Sequence, residues 1–275
     1  MNVRNIVGKV LYYIFSPFVG MPQVLSVYFH NPSPKCFEKS IIWIKGKGYD
    51  FIDVSALLNY MQGGGDAIGK HCVVTFDDAW HNNLELLAIV EKYHVPITIF
   101  APVTPLQEGN YWWEYPLKKG GIKLVEAFKT FGNDKFKLEL ESIKKEISLS
   151  RTAMTIDELK MVSKHPLVSI QSHSYTHPIL TRLSDESLDY ELSASKSFLA
   201  KELDEEIFAF SNRNGSLTVR EIEMVGKYYR CAFSTIQDSP KIGGDLYTIP
   251  RYALTDDLGS NMAKMLGVWN LIKRW

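Results

Sequence analysis

The run His71-Cys72-Val73-Val74-Thr75-Phe76-Asp77-Asp78-Ala79-Trp80 decides the fold. Five apolar or β-branched residues follow one another without a charge and end on two adjacent carboxylates. A strand with one wet face alternates apolar and polar residues, whereas a run this uniformly apolar belongs to a strand covered on both faces. Residues 24–29, 96–100, 167–171, 207–210, 231–234 and 246–249 read the same way, and amphipathic stretches separate them. Strand and helix in alternation are the mark of parallel strands joined by crossover helices. The expectation is an α/β fold, an irregular (β/α) barrel of about seven parallel strands.

The helical stretches announce their own starts. Thr155 with Glu158 and Thr218 with Glu221 have capping-box spacing, which satisfies the orphan amide donors of a first turn. Ser184 stands as an N-cap before Leu188, Leu192, Leu199 and Leu203, which recur on one helical face turned to the sheet. The connection over about 104–154 exceeds an ordinary barrel loop. It opens on Trp112 and Trp113 and continues in lysine- and glutamate-rich helix, so it reads as a helical insertion, with Trp113 also a candidate surface for stacking a sugar. Three segments follow: an N-terminal apolar segment over 1–23, the barrel with its insertion over 24–257, and a C-terminal amphipathic helix over 258–275. The apolar stripe of that helix is Met262, Met265, Leu266, Trp269 and Ile272.

Composition excludes several classes of function. The 275 residues carry 45% hydrophobic and 23% charged residues, globular values that rule out a disordered or collagen-like chain. Thirty-one basic residues balance thirty-one acidic ones, so no net field gathers nucleic acid, and a neutral partner fits. Three scattered cysteines make neither a disulfide framework nor a metal knuckle. Residues 10–28 run without a charge, nearly the length of a membrane span, but Pro17 and Pro22 interrupt a helix and the second half reads as a strand. A cytoplasmic or membrane-associated protein, with membrane-surface contact through this end, is expected; a signal anchor is the alternative. No residue pattern speaks to oligomeric state.

Chemistry gathers at two strand ends, where α/β folds place their active sites. One is Asp77-Asp78. The other is Gln171-Ser172-His173-Ser174-Tyr175-Thr176-His177-Pro178, whose two histidines lie four apart and would meet at one point if the segment made a single helical turn. A catalytic divalent metal takes three protein ligands and keeps an open position, a set that one carboxylate and two imidazoles supply. Asp78, His173 and His177 would be the ligands, leaving Asp77 as general base toward water. The mixed nitrogen and oxygen donors favour zinc, with nickel, cobalt and iron as other candidates.

These motifs, with Thr75-Phe76 before the acidic pair, Ile99-Phe100, Phe208-Ala209-Phe210 and Ile249-Pro250-Arg251, resemble the polysaccharide deacetylase (NodB-homology) family of carbohydrate esterases over about residues 24–254. The resemblance implies the same division of labour: Asp77 as base, with Asp78, His173 and His177 on the metal. The chain carries no histidine after His177 to serve as the acid, but Val27-Tyr28-Phe29-His30-Asn31-Pro32 is similar to the poly-N-acetylglucosamine deacetylase branch, which implies His30 in that role. In place of the family's proline-containing oxyanion segment stands Phe210-Ser211-Asn212-Arg213-Asn214-Gly215, where a backbone N–H near Ser211 would face the oxyanion. Arg251, ahead of Arg213, is expected to orient Asp77. His71, His94 and His165 are assigned no chemistry, and His81 a structural place. The expected activity is metal-dependent deacetylation of N-acetylated sugars in a polysaccharide, glycolipid or precursor. O-deacetylation of glycans and a catalytically silent carbohydrate-binding protein are the alternatives.

Overall fold

A computed structural model describes residues 3–64, 69–212 and 218–268. Its strands are β1 (Val24–Phe29), β2 (Tyr49–Phe51), β3 (Lys70–Asp77), β4 (Ile97–Ala101), β5 (Val168–Ser172), β6 (Ala209–Ser211), β7 (Cys231–Phe233) and β8 (Tyr252–Ala253). Every ladder between them is parallel, and the order is β7-β6-β5-β4-β3-β1-β8, with β2 on the first residues of β3. The helices are α1 (Val3–Phe15), α2 (Pro34–Gly46), α3 (Val54–Met61), α4 (Leu87–Tyr93), α5 (Val103–Glu108), α6 (Glu114–Phe128), α7 (Asn133–Glu146), α8 (Ile156–Ser163), α9 (Asp185–Leu203), α10 (Val219–Tyr228) and α11 (Leu258–Met265). The fold is the irregular α/β barrel expected.

Strand period two sorts the buried side chains into two populations. Leu25, Val27, Phe29, Cys72, Val74 and Phe76 point outward and meet Phe37, Ile41 and Ile44 of α2. Leu188, Leu192, Leu199 and Leu203 of α9 join the same layer, so the leucine stripe faces the sheet. Val24, Val73, Phe100, Ala209, Cys231 and Phe233 point inward, and α3 closes that interior from below with Val54, Leu57, Leu58 and Met61. The same alternation places Thr75 and Asp77 inside, one and two steps above Val73. Phe37 is fully buried, edge-on to Phe29 and Phe76 at ring distances of 5.6 and 5.4 Å. Phe37→Ala is expected to cost about 3–5 kcal/mol, read as a lower denaturant midpoint at unchanged slope.

Both capping boxes are present, and the Ser184 side chain accepts from the Ser187 amide. Two strands differ from expectation. Tyr49–Phe51 forms β2, too short to show a period. Residues 246–249 are not a strand: Asp245 accepts from the Tyr247 amide and the Thr248 hydroxyl at 2.9 Å each, which turns the chain, and only Ile249 bridges to Phe233. Pro250, without an N–H, follows, and the strand forms at β8 against β1. This stretch carries the chain from the β7 edge to the β1 edge and sets Arg251 between them. Of the helix expected over 258–275, α11 covers Leu258–Met265; Trp269 and Ile272 lie outside the described residues. Among the described residues no helix is long and apolar enough to cross a membrane. All three cysteines are free and buried.

Candidate active site

The site forms where β3 and β5 end, and two backbone kinks shape it. Asp78 and Ala79 follow β3 at φ 81° and 55°, in the left-handed region that non-glycine residues seldom enter. The Asp78 amide donates to the Phe100 carbonyl, the Tyr111 hydroxyl donates to the Asp78 carbonyl, and the Met154 amide donates to the Ala79 carbonyl. Turned this way, Asp78 leaves the line of β3 and faces β5.

The second kink lies in 173–177. Ser174 and His177 stand at φ 69° and 61°, so the segment is a doubly kinked loop and not the helical turn expected of it. What holds it is Glu191 of α9, buried, whose carboxylate accepts from the Tyr175 and Thr176 amides at 2.8 Å each and from the Thr176 hydroxyl at 2.6 Å. Burial outweighs these bonds and raises the Glu191 carboxyl above its ordinary value. The indole N–H of Trp112 donates to the His177 carbonyl at 3.2 Å. Tyr175 and Thr176 lie between the two histidines, so one carboxylate sets the spacing of both. Glu191→Gln places an amide N–H among these donors; metal affinity is expected to fall about 10–100-fold with the folded CD spectrum kept, as titration calorimetry would read.

The kinks bring Asp78, His173 and His177 together, with one ligand atom of each within 4.8 Å of the others, all buried. Asp78 Oδ1 lies 3.1 Å from His177 Nε2 and 3.5 Å from His173 Nε2. Trp80 Nε1 donates to Asp78 Oδ2 at 3.2 Å and so aims Oδ1 at the imidazoles. His173 Nδ1 lies 2.8 Å from the Ser211 carbonyl oxygen, which can only accept; Nδ1 carries the proton and Nε2 presents its lone pair to Asp78. Oδ1 is buried against two imidazole nitrogens and, among the described residues, has no other polar partner, an arrangement that asks for a cation between the three groups. The donor set fits a divalent metal. Burial alone would raise the Asp78 carboxyl; positive charge beside it, carried by the imidazoles when no ion lies between the three groups, outweighs burial and holds it well below its ordinary value.

Asp77 points into the barrel, and Arg251 meets it with two parallel bonds, Nη1 to Oδ1 and Nη2 to Oδ2, at 2.9 Å each. The guanidinium is fully buried and every donor direction is used: Nη1 also reaches Thr75 Oγ1, Nη2 reaches Ser211 Oγ, and Nε reaches the Ser234 carbonyl. Its face covers the Tyr28 ring at 4.1 Å. Burial pushes the Asp77 carboxyl up, and the Arg251 charge and bonds overcome that push, so it lies below its ordinary value. Ser211 Oγ donates to Oδ1 at 3.2 Å. Oδ1 thus accepts twice, and among the described residues Oδ2 accepts from Arg251 alone, which leaves a lone pair open there.

His30 follows β1 on the same rim, exposed, its ring 5.6 Å from that of Tyr28 and its carbonyl held by the Asn83 amide group. The Ser211 carbonyl and hydroxyl both face the site, and the next amide, that of Asn212, donates to the Phe233 carbonyl. Arg213 and Asn214 lie outside the described residues. Trp113 stacks on Tyr111 at 4.6 Å and lies 4.8 Å from the His177 ring. Tyr111 in turn packs on Trp80 at 4.4 Å, which makes an aromatic wall beside the three ligand groups. His81 pairs with Glu158 at the surface, away from this chemistry.

The sequence reading gave no role to Glu191, Tyr111, Trp80 or Thr75, although Trp80 and Thr75 lie within its motifs. Trp80 stands two residues past Asp78, and its indole N–H was a usable signal. Glu191 looked like one more acid in a charged helix; only its position on the leucine-bearing face, three residues after Leu188, would have marked it.

The polysaccharide deacetylase family model matches residues 64–228 of the chain. No curated protein matches the chain. Among solved structures, the deacetylase PplD of Streptococcus pyogenes, in complex with acetate, superimposes with TM-score 0.63 at 16% identity, over 90% of this chain and 99% of that one. IcaB from Ammonifex degensii gives 0.65 at 14% identity, over 88% and 97%. The BpsB deacetylase domain from Bordetella bronchiseptica gives 0.60 at 12%, over 85% and 97%. At these identities the likeness is one of fold.

Proposed function

The chain belongs to the polysaccharide deacetylase family, and from that premise we propose that it is a metal-dependent deacetylase that hydrolyses the acetamide of N-acetylated sugars in a glycan. The observation that carries the reading is the pairing of a buried Asp-His-His ligand set with a second carboxylate gripped by Arg251.

A divalent cation held by Asp78, His173 and His177, zinc by preference, would supply Lewis acidity toward a water molecule and the acetyl carbonyl. Asp77 takes the proton of the attacking water at Oδ2, the oxygen with an open lone pair. Arg251 and Ser211 hold that carboxylate in one orientation and keep it ionised until the proton arrives. His30, exposed on the rim, donates a proton to the departing amine, without which an amide does not release its nitrogen. The backbone donor expected near Ser211 is not supplied by Asn212, whose amide donates to the Phe233 carbonyl, and Trp113 offers its ring to the sugar. The products are acetate and an amino sugar. PplD, in complex with acetate, has a structure that holds the product this reaction releases.

The test is acetate release from matched N-acetylated and O-acetylated oligosaccharides. Release from the N-acetylated series, abolished by a chelator and restored by zinc, nickel or cobalt, is expected. Release from the O-acetylated series alone would make the chain an esterase, and glycan binding with no release in either series would make it a binding protein.

A further inference from the structure

Helix α1 is apolar on two opposite sides, and only one of them is used by the fold. Tyr12 is buried against Met262, Ala263 and Leu266 of the α11 region, with Leu11 and Phe15 alongside. The contact is tight. A Cβ at Gly8 would overlap the Gly259 carbonyl carbon, one at Gly259 would overlap the Asn5 carbonyl oxygen, and Asn5 Oδ1 accepts from the Gly259 amide at 2.9 Å. This close approach fixes the rotation of α1 about its own axis, since turning it would drive a side chain into the α11 backbone.

The fixed rotation leaves Val3, Ile6, Val7, Val10, Tyr13 and Ile14 in solvent, spaced three and four apart along one stripe, and Phe18 continues it at 84% exposure. Scattered exposed apolar residues are ordinary, but a continuous stripe three turns long is not. Charge chooses its partner. Residues 1–37 contain no aspartate or glutamate, while Arg4 and Lys9 flank the stripe. An apolar stripe edged by cations, with aromatic Tyr13 and Phe18 at one end, matches the boundary between acyl chains and anionic headgroups. At 13 residues α1 is too short to cross a bilayer, so its contact is one of lying in the surface.

We propose that α1 docks the protein on a membrane surface of anionic lipid, its outer face sunk among the headgroups and its inner face locked to α11. This is independent of the chemistry at the metal-ligand set.

The experiment is co-sedimentation of the full chain with vesicles of phosphatidylcholine alone and of phosphatidylcholine with phosphatidylglycerol. Binding that is stronger on the anionic vesicles and weakened by salt is expected, and the double variant Ile6→Glu/Val10→Glu should bind at least tenfold more weakly. Both positions are exposed, so the variant keeps its thermal midpoint and its acetate release from a soluble oligosaccharide. Wild type left in the supernatant with both vesicles, or wild type and variant bound equally, would overturn the proposal. So would a concentration-dependent dimer, abolished by the same variant in sedimentation velocity without vesicle binding, since the stripe would then be covered by a second copy.

Discussion

Asp77→Asn is expected to lower acetate release by about 10²–10⁴-fold, the usual contribution of a general base, while the protein still retains a divalent ion. The two readouts separate because the ligand set and the base are different carboxylates. Asp78, His173 and His177 converge within 4.8 Å, whereas Asp77 faces Arg251 and Ser211. Asparagine keeps the shape of Asp77 but cannot take a proton at Oδ2. It also turns an amide N–H toward guanidinium donors, so thermal stability should fall in the same sample. Turnover equal to wild type would remove Asp77 from the role of base. Loss of the ion with turnover would mean that the two carboxylates act as one site.

Arg251→Met carries the second large effect. The guanidinium is fully buried and neutralises a carboxylate that is itself buried. Whether such a pair adds net stability over an apolar replacement of both partners is a separate matter; removing one partner leaves a charge without compensation in the barrel interior. The expected cost is about 3–5 kcal/mol, together with the loss of the hydrogen bonds to Thr75, Ser211 and the Ser234 carbonyl. Acetate release falls as well, because Asp77 then loses both guanidinium bonds and keeps the Ser211 hydroxyl as its remaining described hydrogen-bond donor. Arg251→Lys should fall between, since an ammonium cannot bridge both oxygens and also reach Ser211 and Thr75. A denaturant midpoint for Arg251→Met equal to that of wild type would show that the ion pair contributes nothing to the fold. The double variant Asp77→Asn/Arg251→Met should recover part of the stability that Arg251→Met alone loses, because the stranded charge is gone.

Much of this architecture is legible in the residues before any coordinates. Strands buried on both faces declare themselves as uninterrupted apolar runs, as in Val73 to Phe76, and Thr155 and Thr218 mark helix starts through side-chain bonds that depend on local spacing alone. Barrel closure was not legible, because it rests on a single bridge at Ile249 and two residues of β8, too little chain to carry a period. The ligand motifs stand out by residue type, yet their geometry does not follow from spacing. His173 and His177 meet through left-handed kinks at Ser174 and His177, and those depend on Glu191 from a helix that begins eight residues later. Tyr111 likewise reaches Asp78 from the insertion, a contact between distant segments that no local pattern encodes.

The central claim is that Asp78, His173 and His177 hold one divalent ion on which acetate release depends. Titrating zinc into metal-stripped protein by calorimetry, with acetate release assayed on the same samples, tests it most directly. The account predicts one site per chain, turnover that rises in proportion to its filling, and loss of both in His173→Ala. Undiminished acetate release from protein stripped of metal, or a full zinc site in His173→Ala, would contradict it.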